Sequence, residues 1–127
     1  MIQLLQVSLV LAPFLVISCG RTAPLPLPSE LPGGWVKASE EKRSELPPLV
    51  RQMGGRSGTV ARYKGSGEVV VTVYETGGQA AAFELVQKWR PEGGKLYFHK
   101  GPRFVLLEGA DQALLNRLEK AIEAALP

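Results

Sequence analysis

Apolar and polar positions along this chain fall into a few clear rhythms, and these predict most of its elements. After Gly58, "TVARYK" and "EVVVTVYE" are β-branched and aromatic runs separated by Gly65-Ser66-Gly67, the pattern of two strands joined by a hairpin loop. In the second run Val69, Val71 and Val73 share one face, while Val70, Thr72 and Tyr74 share the other. Thr76-Gly77-Gly78 stops that strand. "QAAAFELVQKWR" then places Ala82, Leu85, Val86 and Trp89 at helical spacing and ends at Pro91. A second hairpin, "KLYFHK" and "RFVLLE", turns at Gly101-Pro102. Asp111 is placed to cap a last helix, "QALLNRLEKAIEAAL", whose Leu114, Leu118, Ala121 and Ala125 form a stripe thickened by Leu115, Ile122 and Leu126.

The order hairpin, helix, hairpin, helix predicts an α+β fold. Its simplest two-layer form is an antiparallel four-stranded sheet with both helices packed on one face. Upstream, Pro47-Pro48 before "LVRQMGG" predicts a short helix with Gly54 just past its end. Trp35 is expected to be an early core or lid contact. The charged stretch from Ala38 to Glu45 fits a short helix or an open loop, and the pattern does not choose between them.

The first 18 residues follow a different rule. Ile2 to Ile17 are mostly Leu, Val and Ile, broken by Gln3, Gln6, Ser8 and Pro13. A comfortable membrane span needs about 20 apolar residues, so the run has instead the length of a signal-peptide apolar region. It closes on "LVISCGR", which holds the chain's single cysteine. Val16-Ile17-Ser18-Cys19 resembles the lipobox of bacterial lipoproteins. That resemblance implies cleavage before Cys19, a lipid on its thiol and acylation of the new amine. The segment before the run lacks Lys and Arg, unlike most signal peptides, and this leaves open a start farther upstream. An ordinary secretion signal and a retained anchor are the competing readings.

The next stretch, "GRTAPLPLPSELPGG", carries Pro24, Pro26, Pro28 and Pro32, which favour an extended polyproline conformation. At about 3.1 Å per residue, Gly20 to Pro32 would reach roughly 40 Å. The expected organisation is therefore a signal peptide over 1–18, a lipidated cysteine and spacer over 19–32, and one domain over 33–127. The phrasing around "VTVYETGGQAAAFELVQKW" and the order of elements also resemble uncharacterised bacterial lipoprotein domains over about half the chain. That resemblance implies no activity and transfers no functional residues.

Composition narrows the chemistry. A lone cysteine cannot form an internal disulfide, and a lone histidine gives no Cys/His zinc cluster. The chain has no H-E-x-x-H, C-x-x-C or G-x-S-x-G motif and no phosphate loop, so no catalytic residue and no cofactor are predicted. His99, near a hairpin tip, is the one titratable candidate. A pocket joining it to Glu75 or Glu108 would indicate an enzyme or a small-ligand carrier. The net charge of +3 is local: Lys42 to Lys64 carries six positive residues against Glu45, whereas Glu68 to the end carries seven positive against eight negative. Arg51, Arg56, Arg62 and Lys64 are thus the expected contacts to anionic lipid or an acidic envelope partner. The chain is read as a non-catalytic binding or scaffolding module, held at the cell or outer membrane with its domain outside the cytoplasm. Gly20 after the cysteine leans toward the outer membrane. Nucleic acid is not expected as a partner, and the oligomeric state is not predicted.

Overall fold

The computed structural model describes residues 27–90, 95–109 and 111–127. The expected signal peptide and Cys19 lie outside them. The fold is α+β, with an antiparallel sheet at its centre. Its strands are β1 (Glu30–Leu31), β2 (Trp35–Arg43), β3 (Ser57–Lys64), β4 (Glu68–Glu75), β5 (Lys95–Lys100) and β6 (Arg103–Glu108), and its helices are α1 (Pro48–Gln52), α2 (Gln79–Lys88) and α3 (Gln112–Ala125). The spatial order is β1-β2-β3-β4-β6-β5, so the two hairpins meet along β4 and β6.

The sheet therefore has six strands, not four. The two extra strands come from the N-terminal side. The stretch from Ala38 that fitted a helix or a loop is mostly strand β2, which pairs with β3 from Val36↔Lys64 to Arg43↔Gly58. Its side chains from Ala38 onward are exposed. Solvent on both sides removes the alternation by which strands are recognised, and only backbone pairing holds the segment in place. The pairing register shifts between Lys37 and Ser39, a bulge of the kind common near sheet edges.

The helices also lie on both faces rather than one. β6 explains why: Phe104, Val105, Leu106 and Leu107 are all buried, so neither face of that strand can be left to water. Val105 and Leu107 point with Val69, Val71, Val73, Ala61 and Tyr63 into a core closed by Leu115, Leu118, Ile122 and Leu126 at α3. Phe104 and Leu106 point the other way, where Leu46, Val50 of α1 and Leu85 of α2 cover them. Trp89 joins this second cluster from the end of α2, its ring 5.1 Å from that of Phe104. Asp111 caps α3 as the sequence suggests, accepting from Ala113 N–H at 3.0 Å. At the other end of α3, Lys100 Nζ donates to the carbonyls of Glu123 and Leu126 at 2.6 and 2.7 Å, placing a cation on the helix C-terminus.

The last part of the expected spacer belongs to the fold. Leu27 and Leu31 are only 5% and 4% exposed and sit in the α3 core beside Trp35. Three hydrogen bonds fasten this strap: Tyr63 Oη to the Pro28 carbonyl at 2.7 Å, Lys37 N–H to the Ser29 carbonyl at 2.8 Å, and Lys37 Nζ to the Leu27 carbonyl at 3.2 Å. Prolines at 28 and 32 do not prevent this, because a two-residue edge strand asks little of the ladder. Replacing Leu31 by Ala should cost about 2–4 kcal/mol of stability, measured by chemical denaturation. A loss below about 0.5 kcal/mol would mean that the strap does not pack.

Burial, reinforced by Glu40, pushes the Tyr63 phenol up to about 12 from an unperturbed 10.0. Between those values the unfolded chain has released its proton while the folded one retains it, so stability falls as pH rises from about 10 to 12. The slope from this one group is at most about 1.4 kcal/mol per pH unit. Tyr63→Phe should flatten that decline while losing the bond to Pro28. An unchanged slope would show that Tyr63 does not control it.

Candidate functional site

Strand alternation and register arrange the α1/α2 side of the sheet in rows. Arg43, Gly58, Tyr74, Phe104 and His99 form one row, and Glu41, Val60, Thr72, Leu106 and Tyr97 the next. Ser39, Arg62, Val70, Glu108 and Lys95 form a third, followed by Val36, Lys64 and Glu68. Helices α1 and α2 cover the apolar end of the first two rows. The remainder is an open sheet face, and two shallow depressions there share Arg43 and Tyr74. One, of about 310 Å³, has Val60, Val70 and Thr72 on its floor with Arg62 and Glu108 at its rim. The other, of about 380 Å³, is completed by Glu45, Leu46, Pro47 and Arg51.

Tyr74 sits between them because its cross-strand neighbour is a glycine. A Cβ on Gly58 would lie 2.9 Å from the Tyr74 ring carbons, so the ring occupies the space a side chain would take. Burial raises the phenol's pKa; Arg43 opposes that rise, Glu108 adds to it and Lys95 opposes it. Tyr74 thus stays a neutral hydrogen-bonding group beside two arginines.

The four basic residues expected to act together are divided by the fold. Arg62 and Lys64 do share a face, as their spacing requires, but Glu68 meets both: Lys64 Nζ at 2.7 Å and Arg62 at 3.9 Å. The hydrogen bond from Lys64, then its charge, holds the Glu68 carboxyl below the usual range. Arg51 stands instead near Arg43 at the second depression. Arg56 lines a separate depression of about 440 Å³ at the start of α2, with Thr76, Gly77 and Pro102. Arg43 is drawn to Glu41 at 3.3 Å and Lys95 to Glu108 at 3.6 Å. Most charge on the open face is therefore matched by its neighbours. Arg51 has no ion-pair partner among the described residues.

The other reading centred on His99. That side chain lies on the α2 side, with its ring 5.6 Å from Phe83 in an edge-on contact and Nδ1 buried without a hydrogen-bond partner. Glu75 points to the opposite face and pairs with Arg103 at 2.8 Å. Glu108 is opposite Lys95, four positions along the strand from His99. The fold does not bring the histidine and either carboxylate together.

Arg43 and Tyr74 are the residues that sequence reasoning missed here. Arg43 lies in the stretch whose conformation the pattern left open, and Tyr74 looked like one more aromatic strand position. The pair Gly58/Tyr74 carried a usable signal, since a glycine inside a strand often marks a close approach. No family model matches this chain, and neither the curated proteins nor the solved structures include a match to it.

Charge matching gives a direct test with the folded segment, residues 27–127, and anionic vesicles. Binding should be weak at low salt and fade toward physiological salt, where screening acts over about 8 Å. Glu68→Gln frees Arg62 and Lys64 and should strengthen it roughly 5-fold, the effect of one charge near such a surface. Arg43→Glu with Arg51→Glu should remove it. Equal co-sedimentation by all three proteins would show that this face does not meet anionic surfaces.

Proposed function

We propose that the chain is a lipid-anchored module of the cell envelope whose folded body binds a partner and carries out no chemistry. The observation that carries the binding reading is the pair of shallow, open depressions around Arg43, Arg51 and Tyr74. They offer arginines and a neutral phenol beside Val60, Val70, Thr72 and Leu46, with Glu45 and Glu108 also in their walls, a mostly polar surface with donors for an acidic headgroup or side chain. Shallow sites of this form hold part of a larger surface, whereas small-molecule sites are usually concave and enclose most of their ligand.

The anchor reading rests on Val16-Ile17-Ser18-Cys19 at the end of an apolar leader. Two acyl chains on such a cysteine give stable membrane attachment where one gives only marginal binding. Among the described residues no helix is long and apolar enough to cross a membrane; in this reading the N-terminal lipid supplies the attachment. With Leu27 packed in the core, the link from Gly20 to residue 26 spans seven residues. At about 3.1 Å each they reach roughly 22 Å, about half the span of a spacer ending at Pro32. The body is thereby kept near the headgroups, at the cell membrane or outer membrane and on the side away from the cytoplasm.

Mass spectrometry of protein extracted from native membranes should find an acylated cysteine at the N-terminus. Cys19→Ser should move the protein out of the membrane fraction. An unmodified thiol at Cys19, or an N-terminus elsewhere, would refute the anchor.

A further inference from the structure

The two edges of the sheet are built differently. The β2 edge is guarded by a bulge at Ala38, by the charged run Glu40 to Arg43 and by the short strap β1, all devices that discourage strand pairing. The β5 edge has no bulge and no strap, and its charges are confined to Lys95 and Lys100 at its two ends. β5 reads K-L-Y-F-H-K, with no proline, no bulge and no acidic residue, and among the described residues no strand pairs with its outer side. Beside it, Phe83 on α2 is 50% exposed although it is large and apolar. Phe83 contacts His99 of β5, so this exposed ring lies on the flank of α2 that faces β5. The helix's ion pair, Glu84 with Lys88, lies on another flank.

We propose that the outer edge of β5 is an interface for a second copy of this chain, related by a twofold axis normal to the sheet at Tyr97. Register follows from the hairpin. A two-residue loop with Gly101 at φ 57 is a type II′ turn, which makes Lys100 and Arg103 the closing hydrogen-bonded pair. Bonded pairs then alternate along the ladder, so the backbone groups of Lys95, Tyr97 and His99 point outward. Directly opposed residues in an antiparallel pair share a face, so a twofold axis can match only positions of equal parity. Lys95 can therefore never oppose Lys100 of the second copy. Centring on Tyr97 uses all three outward positions, with Tyr97 opposite itself, Leu96 opposite Phe98 and Lys95 opposite His99. Apolar positions meet apolar positions on the α3 face, and no like charges are opposed.

The flanking helices fit the same symmetry. α2 packs over β5 and β6 through Leu85, with Val86 and Trp89. With strands about 4.8 Å apart, two copies of α2 would lie roughly 10 Å apart, the separation of packed helices, with Phe83 between them. The edge is about 20 Å long, and a sheet with helices on both sides is roughly 25 Å deep, so two copies bury about 1,000 Å² together. That is near the lower bound for a specific interface and predicts a weak, reversible dimer. A bare peptide strand on β5 would leave Phe83 exposed, whereas a second copy covers it.

The test uses the full chain carrying Cys19→Ser in mild detergent. Sedimentation velocity should show a concentration-dependent, weak monomer–dimer equilibrium, as befits so small an interface. Phe83→Arg should leave only monomer. With Phe83 intact, in the Cys19→Ser chain, Tyr97→Cys should form an intermolecular disulfide, because paired Cα atoms lie about 5.5 Å apart, whereas Lys95→Cys should not. A chain that stays monomeric at about 1 mM overturns the proposal. So does a dimer that survives Phe83→Arg and leaves position 97 unlinked, since its contact must then lie elsewhere. Protection of the amides of residues 95, 97 and 99 only when a foreign peptide is added would also overturn it, by giving the edge a different occupant.

Discussion

The burial of β6 on both faces is the constraint from which the rest of the architecture follows. Phe104 and Leu106 require cover on one side of the sheet, and Val105 and Leu107 require it on the other. A strand of that kind cannot lie at the surface of a two-layer fold. It forces a three-layer arrangement in which α3 closes one core and α1 with α2 closes the second. It also fixes the strand order, because β6 pairs with β4 on one side and β5 on the other, leaving β5 at the margin. The open face beyond α1 and α2 exists because these short helices end before the sheet does.

Much of this was legible from residue pattern alone. The two hairpins, α2, the cap at Asp111 and the stripe of α3 all follow from periodicity and turn chemistry. The number of strands and the side taken by each helix were less accessible. "RFVLLE" does show apolar residues at consecutive positions, and that run signals a strand covered on both faces. β2 could not be recognised in this way. An edge strand wet on both sides carries no periodic signature, and charge there is compatible with loop, helix or strand. Proline spacing misled in a different way: Leu27 and Leu31 are anchors of the core, and the prolines around them only keep the strap extended.

The site was legible in part. Spacing places Arg62 and Lys64 on one face, and they are there. Their neutralisation by Glu68 depends on the hairpin that brings β4 back beside β3, and the separation of Arg51 from Arg56 depends on where α1 ends. Charge counts along the chain measure how many cations a segment has. They do not show how many are already matched across a ladder, and on this sheet face most are.

The strap from Leu27 to Leu31 also has a mechanical meaning. Any pull arriving from residue 26 enters the body through it, before reaching the sheet. Two leucines, the bond from Tyr63 to Pro28 and the bonds from Lys37 bear that load at the margin of the core, where β1 can peel from β2 one contact at a time. Peeling of this kind yields at lower force than shearing a long strand, because its bonds break in sequence. Under a pull on residue 26 the strap is the first part to give way, releasing several residues before the other five strands are loaded.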